Sequence, residues 1–390
     1  MAGDAQAMTR QGPLAGLRVV ELAGIGPGPM CAMLLADLGA TVIRIDRKQP
    51  SDLGIQRPLR YNLLLRNRYA IELDLKDSQG VEAALQLIER ADALIEGFRP
   101  GVTERLGLGP DACLARNPRL AYGRMTGWGQ EGPLSQTAGH DINYIAITGV
   151  LNAIGRTGQP PSVPLNLVGD YAGGALYLAF GLLAAILQAR GTGRGQVVDA
   201  AIVDGTASLA TTFFGMHAAG MLRPDRGSNL TDTGSHFYDV YQCADGRWLA
   251  VGPLEARFYA EFLQVLGLDS TTLGPQNDPG SWPRAKELLA AKFREHARDH
   301  WARLFAATDA CVAPVLDWDE APHHDHLAAR GTFVEVDGVV QPAPAPRFSA
   351  TPAAVPTPPA PVTSANTRAA LASWLSTTEI EAWSTRGLID

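Results

Sequence analysis

An α/β fold, with a mostly parallel sheet carrying helices on both faces and a smaller unit of different character after it, is what this sequence predicts. Three observations predict it. Short apolar runs of strand type alternate with amphipathic stretches through residues 17–129. Glycine and proline fall after the strand candidates, not inside them. From about residue 225 the alternation gives way to a hairpin followed by helices.

Taken in order, "LRVVEL" (17–22) is a strand, "GIGPGP" (24–29) a turn, "MCAMLLADLGA" (30–40) an amphipathic helix closed by Gly39, and "TVIRID" (41–46) a second strand. Residues 47–68 are irregular and basic. "AIELDL" (70–75) is a strand, "KDSQGVEAALQLIERA" (76–91) a helix, "DALIEGF" (92–98) a strand, "RPGVTERLG" (99–107) a loop with a short helix, and "LAYGRMTGWG" (120–129) a strand with its loop. Alternation of this kind makes parallel pairs through crossover helices. Helices are expected over 141–154 and 171–190, and a strand running into a long helix over 195–220. "FYDVYQCADGRWLAVGPL" (237–254) reads as a hairpin turning at Ala244-Asp245-Gly246, with helices following at 255–267 and 283–307. The proline-rich stretch 342–362 is expected to be an extended arm able to run back over the first domain, and a short helix near 376–386 comes last.

With 390 residues, 46% hydrophobic and 19% charged, the chain has the composition of a soluble globular protein of more than one domain. A net charge of −7 gives no reason to expect a nucleic-acid partner. Cys31, Cys113, Cys243 and Cys311 are far apart with no C-x-x-C, which points to a reducing, cytoplasmic setting and away from a zinc or disulfide framework. Residues 1–16 read as a tail and lead-in without the apolar core of a signal peptide. "YAGGALYLAFGLLAAILQA" (171–189) is uncharged and long enough to span a bilayer, but its glycines and its isolation favour a buried helix.

Several residues are candidates for chemistry. "GIGPGP", followed by Asp46 at the end of the next strand, approaches a dinucleotide fingerprint. Pro29 occupies the third glycine position and Arg47 follows the acid, so the stretch reads as a tight βα turn. Arg47, Arg66, Arg68, Lys76, Arg99 and Arg105 fall at or near the C-terminal ends of predicted strands, the edge where open α/β sheets bind ligands. Clustered there, they suit a phosphate-rich ligand. In "TAGHDINYIA" (137–146), His140 lies between Gly139 and Asp141 where a helix begins. It is either a base at the helix mouth or a polar neighbour of an N-capping Asp141. Asp170 opens the apolar helix at 171, as an N-cap or as a shielded base, and Glu255 is a first-turn glutamate after the hairpin. "HHDH" (323–326) reads as a polar loop, and Cys31 as a core residue.

"GPLAGLRVVELAGIGPGPMCAMLLADLGATVIRIDR", "DALIEGFRPGVTERLGLGP", "AGHDINYIA", "PLNLVGDYAGG" and "DACVAPVL" closely resemble the α-methylacyl-CoA racemases, a branch of the family III (CaiB/BaiF-type) CoA-transferase superfamily. The similarity runs from about residue 12 to about 348, and "GHDINY" and "LNLVGD" are its most specific parts. The resemblance implies a Rossmann-like large domain (12–200 with 325–390), a linker helix (201–224) and a smaller α+β domain (225–320), in an interlocked homodimer whose active site is shared between chains. It implies a racemase that inverts carbon 2 of 2-methyl-branched acyl-CoA thioesters in fatty acid metabolism, by two-base proton transfer through an enolate.

By motif match, His140 and Asp170 are then the bases, Glu255 of the second chain bonds His140, and the backbone of Asp141 stabilises the enolate. Coenzyme A is held by Arg47, Leu73, Lys76, Gly97, Phe98, Arg99 and Arg105, and Gly139, Asn143 and Tyr144 lie against the thioester. No metal or separate cofactor is implied, since coenzyme A is part of the substrate, and no membrane or nucleic-acid partner. Two alternatives stay open: acyl-CoA:carboxylate CoA transfer with Asp170 as nucleophile, and a non-catalytic CoA-binding protein. "TDTGSHFY" (231–238) replaces the usual "LDGGAPFY" and introduces His236, and "GPLEARFY" replaces "GAIEPQFY". Both changes bear on which acyl group fits.

Overall fold

The computed structural model describes residues 11–49 and 54–389, so the tail read over residues 1–10 lies outside them. The chain divides into two units. The first comprises the described residues up to Ile145, Leu165–Leu209, and those from Asp325 onward; the second comprises Ala146–Pro164 and Ala210–His324.

β1 (Arg18–Leu22) passes through a turn at Gly26 into α1 (Pro27–Asp37), then β2 (Thr41–Asp46), β3 (Tyr69–Glu72), α2 (Ser78–Ile88), β4 (Ala93–Glu96), α3 (Val102–Arg105), α4 (Pro110–Arg116), β5 (Ala121–Thr126) and α5 (Asp141–Ile147). Beyond α6 (Val150–Ala153), a π-helix (Leu167–Leu176) runs directly into α7 (Tyr177–Thr192), β6 (Gln196–Ala201) and α8 (Ile202–Leu209). The six strands pair in parallel in the order β3-β2-β1-β4-β5-β6. The order reverses between β1 and β4, which makes the crevice beyond their C-terminal ends the place for a ligand.

Neighbouring residues of one strand feed opposite cores, as the period of two requires. Val20, Ile43 and Leu94 pack with α2, whereas Val19, Val42 and Ile95 pack with α1 and α7. On α7, Leu178, Leu182, Ala185 and Ala189 are buried while Leu176 just before it, Phe180 and Leu187 are exposed, so the apolar run is buried on one face only.

The second unit continues with α9 (Thr211–Ala218), β7 (Asp239–Gln242), β8 (Trp248–Val251), α10 (Ala256–Leu266), α11 (Ser270–Leu273), α12 (Trp282–Phe293), α13 (Arg298–Phe305) and β9 (Val312–Pro314). The hairpin turns where expected, and β9 adds a third antiparallel strand to β8. A three-residue strand ending in proline carries no sequence pattern, which is why it was not anticipated. The helix expected over 283–307 is two helices, because Ala297 turns to extended geometry and starts a second.

Residues 146–164 belong to this unit, not to the large domain. The Arg226 guanidinium donates to the carbonyls of Asn152 and Gln159, and Arg156 pairs with Asp239 at 2.7 Å. Nor is 201–224 one linker helix, since α8 ends with the first unit and α9 begins in the second.

His236 is fully buried in this unit, with its ring Nε2 2.6 Å from the Tyr259 hydroxyl. Burial, helped by Lys286, presses its pKa down from 6.5 to about 4.

The chain then returns to the first unit with α14 (Asp325–Ala329), the hairpin β10 (Phe333–Val336) and β11 (Val339–Pro342), α15 (Ser364–Ala372) and α16 (Thr377–Thr385). The extended arm does run back over the first domain. The Thr357 amide donates to Asn67 Oδ1 at 2.7 Å, and the Asn67 amide donates to the Thr357 carbonyl at 3.2 Å. Trp383 of α16 closes the α2 face of the core and donates its indole N–H to Gln86.

Because its folded-state pKa is depressed, His236 contributes stability above pH 6.5 that is lost as pH falls toward 4, up to about 3 kcal/mol. Urea titrations at pH 7 and pH 5 test this. The wild-type midpoint should fall on acidification more than that of His236→Phe, which keeps a ring and removes the proton site.

Candidate active site

The loop after β4 is held from below by an ionic network whose inner members, Glu96 and Arg124, are buried. Glu96 ends β4 with no solvent exposure; it accepts the Phe98 amide at 2.7 Å and Arg124 Nε at 3.0 Å. The same guanidinium reaches Glu104 of α3 at 2.9 and 3.3 Å. One arginine of β5 thus ties together both ends of the segment that carries Gly97, Phe98, Arg99 and Arg105. Burial pushes the Glu96 carboxyl up to about 7 against the pull of the Phe98 amide and Arg124.

Above this network two pairs of the expected ligand residues are neighbours. The Arg47 guanidinium, just past β2, lies 5.8 Å from the centre of the Phe98 ring, in cation–π range. Lys76 and Arg105 share an open depression of about 540 Å³ with Leu75, Ser78 and Val81. Leu73 is different: its side chain is in the core and its amide bonds the Asp46 carbonyl at 3.1 Å. Arg66 and Arg68 do not join the cationic cluster. They precede β3 and are buried at its N-terminal end, Arg66 against Asp37 (2.5 Å) and Gln341 (2.9 Å), Arg68 against Glu21. They lead into the strand and do not leave it, and Asp37 and Glu21 pair them in the interior, so these charges belong to the core.

Around His140 the backbone is tightly specified. His140 immediately precedes α5, and its amide donates to Asn143 Oδ1 at 3.1 Å, the reverse half of a capping box. The Tyr144 hydroxyl donates to the Gly139 carbonyl, and its ring meets Trp128 edge-on at 4.7 Å between centroids. A Cβ on Gly139 would sit 2.7 Å from that ring, so only glycine fits there.

Asp170 is not an N-cap. The helix starts three residues earlier, as a π-helix, and Asp170 lies within its first turn. Asp141 is not the cap of its own helix either. Its carboxylate crosses to the π-helix, where Oδ1 accepts the Asp170 amide at 2.6 Å. The Asp170 carboxylate takes a bond from Asn166 Nδ2 at 3.2 Å, and it faces Gly26, where a Cβ would come within 3.2 Å of Oδ2. Gly26 has φ +67°, a left-handed geometry that glycine adopts without penalty.

Burial raises the Asp170 pKa; Asn166 and the positive charge of His140 lower it, and the negative charge of Asp141 raises it. The Tyr144 hydroxyl is pushed up to about 12, mainly by burial; the charge of Asp170 raises it and that of Arg99 lowers it. His140, Asp141, Tyr144, Arg99 and Asp170 therefore form one electrostatic neighbourhood. Glu255 lies in the second unit, exposed, at the N-cap of α10 without a side-chain capping bond. Among the described residues no three His, Cys, Asp or Glu side chains converge as a metal site, the "HHDH" loop included.

Gly26, Asn166, Glu96 and Arg124 were not singled out from the sequence. Asn166 could have been, since it precedes Asp170 by four residues, one helical turn. Glu96 and Arg124 read as ordinary strand residues until the register places them side by side.

Arg124→Met should cost up to about 3–5 kcal/mol of stability at alkaline pH, where Glu96 would be left an unpaired buried charge, and less at neutral pH, where Glu96 takes up a proton. Adding Glu96→Gln should restore part of that loss in a denaturant titration.

Comparison with known proteins gives a consistent picture. The description "CoA-transferase family III" matches residues 14–367. The α-methylacyl-CoA racemase of Mus musculus is 45% identical over 342 residues, and that of Homo sapiens 44% over 341, each alignment covering 87% of both chains. The succinyl-CoA–L-malate CoA-transferase β subunit of Chloroflexus aurantiacus is more distant, at 29% over 88% of this chain and 89% of its own. Among solved structures, a CAIB/BAIF family protein from Brucella suis superposes with a TM-score of 0.78 at 24% identity, covering 93% of this chain and 99% of its own, which shows a shared fold. The chain belongs to CoA-transferase family III.

Proposed function

We propose that this protein is an isomerase that inverts carbon 2 of 2-methyl-branched acyl-CoA thioesters, with His140 and Asp170 as the two bases. The observation that carries the reading is the Asp141 carboxylate, next to His140 in the chain, which accepts the Asp170 amide at 2.6 Å and so holds together the segments that carry the two groups. A CoA-transferase needs the carboxylate alone as nucleophile; inversion needs a second proton-transferring group. The 44–45% identity to racemases over most of the chain supports the same choice.

In the forward step one base removes the proton from carbon 2. The C–H electron pair moves toward the thioester carbonyl, whose oxygen becomes an enolate oxygen. The other group, protonated, delivers its proton to the opposite face as the C=C electrons return to carbon 2. The two groups end with their protonation states exchanged, and the reverse reaction uses them in the opposite order. The thioester lowers the cost of the enolate. The Asp141 amide, at a helix start where N–H groups lack intrahelical acceptors, donates to the enolate oxygen. Loss of such a donor costs about 2.7–4 kcal/mol of barrier.

Coenzyme A enters as part of the substrate. Arg47, Arg99, Lys76 and Arg105 supply charge for its phosphates, Phe98 an aromatic face, and Gly97 and the Leu73 backbone close approach. Gly139, Asn143 and Tyr144 shape the wall beside the thioester. Glu255 of a second chain fixes the His140 tautomer in a homodimer. The exposed apolar residues Leu176, Phe180 and Leu187 support a second copy covering that face. Four free cysteines support a reducing cytoplasmic setting.

Incubation of one epimer of a 2-methylacyl-CoA in deuterated water should give deuterium at carbon 2 with loss of configuration and no acceptor acid. Retention of hydrogen, with CoA passing to an added free acid, would replace this reading with transfer. His140→Ala and Asp170→Ala should each abolish inversion while leaving exchange from one face. Sedimentation should find a dimer, and Phe180→Glu, which puts a charge on the covered face, should lower its Tm.

A further inference from the structure

We propose that the side chain of Asp141 is a positioning residue, a strut that sets the placement of Asp170 relative to His140 and puts a carboxylate beside it. The proposal rests on the two-base reading above and adds a function to a side chain whose backbone alone entered that mechanism.

The geometry is specific. Asp141 follows His140 directly, yet its carboxylate bonds the opposite element: Oδ1 lies 2.6 Å from the Asp170 nitrogen, and burial raises its pKa while the Asp170 and Gly169 amides pull it back by stabilising the charge. One carboxylate thus links the segment that carries one base to the turn that carries the other. Gly169 is cut to fit it, since a Cβ there would come within 2.4 Å of Oδ1 and 2.9 Å of Ile145.

The second oxygen points to a role for charge. Asp141 is 6% exposed, and Oδ2 is buried without a hydrogen-bond partner among the described residues. A cap for two amides needs only an acceptor, which asparagine supplies without burying a charge, and a half-satisfied buried carboxylate is costly. The charge does have an effect on the neighbouring carboxyl, whose proton it holds more firmly. A base that must also serve as the acid for the opposite face works best with its pKa near the working pH.

The other groups acting on Asp170 are Asn166 on its own helix and His140; Tyr144 of α5 feels its charge in turn. Nearest to Asp170 and the π-helix glycines from the α1 entry turn, α1 and α8 are Gly26, Pro27, Ile202, Gly205 and Thr206.

The test compares Asp141→Asn, Asp141→Ala and Gly169→Ala with wild-type enzyme in the racemase assay. Asp141→Asn keeps the Oδ1 acceptor and removes the charge. For the epimer whose proton Asp170 removes, identified from Asp170→Ala exchange, the acid limb of the kcat/KM profile should move to lower pH. Asp141→Ala and Gly169→Ala both break the strut and should lower kcat about 100-fold with little change in KM, by more than Asp141→Asn does. A merely structural cap predicts otherwise: a lower Tm in Asp141→Ala, but an unmoved acid limb in Asp141→Asn and ordinary kcat in both strut-breaking variants at 25 °C. That result would overturn the proposal. Failure of the underlying reading shows separately, as unimpaired inversion in His140→Ala and Asp170→Ala themselves.

Discussion

The contact between the Asp141 carboxylate and the amides at the start of the π-helix is the constraint on which the site depends. It joins two segments 29 residues apart in sequence, each of which carries one half of the proposed chemistry. The glycines nearby serve that closure. Gly169 leaves room for the carboxylate, Gly26 lets the β1–α1 turn meet Asp170, and Gly173 allows α8 to pack within a methyl's breadth of the helix backbone. A π-helix, with its wider turn, is the element that accommodates these approaches, and such segments recur at functional sites.

The sheet explains why the ligand residues collect where they do. Its order reverses between β1 and β4, and the segments that leave β2, β3 and β4 emerge on the same edge. Arg47, Lys76 and the Gly97–Arg99 turn all lie in the segments that leave that edge. The Glu96–Arg124–Glu104 network then removes slack from the central segment. Buried charges are an expensive way to hold a loop. Here they fix two points of it to the middle of the sheet, which a hydrophobic contact, being non-directional, would do less specifically.

Much of the fold was legible because apolar periodicity is a local property. The five strands from β1 to β5 stand where the patterns placed them, to within a residue or two at most ends. β3 and β4 end two or three residues short, since Leu73 and Gly97 already belong to the loops that leave the sheet. What escaped were elements made by distant partners. β9 exists because β8 offers it an edge, and α15 is held beside β3 across nearly three hundred residues of chain. The division into units shows the same thing: Arg226 and Arg156 assign 146–164 to the second unit through bonds that no local pattern reveals. The site divides likewise. His140 and Asp170 stood out as residue types at helix starts, whereas Arg66 and Arg68 looked like ligand cations because nothing local discloses Asp37 and Glu21 as their partners. His236, which looked like a pocket residue, is core.

Two groups on opposite sides of one carbon is a statement about geometry, and a ligand complex tests it most directly. A crystal structure with a planar enolate mimic of a 2-methylacyl-CoA should place the His140 imidazole and the Asp170 carboxylate over opposite faces of carbon 2, each in hydrogen-bonding reach of it. The enolate oxygen should lie against the Asp141 amide. Both side chains on one face, or either too distant to transfer a proton, would contradict inversion by this pair.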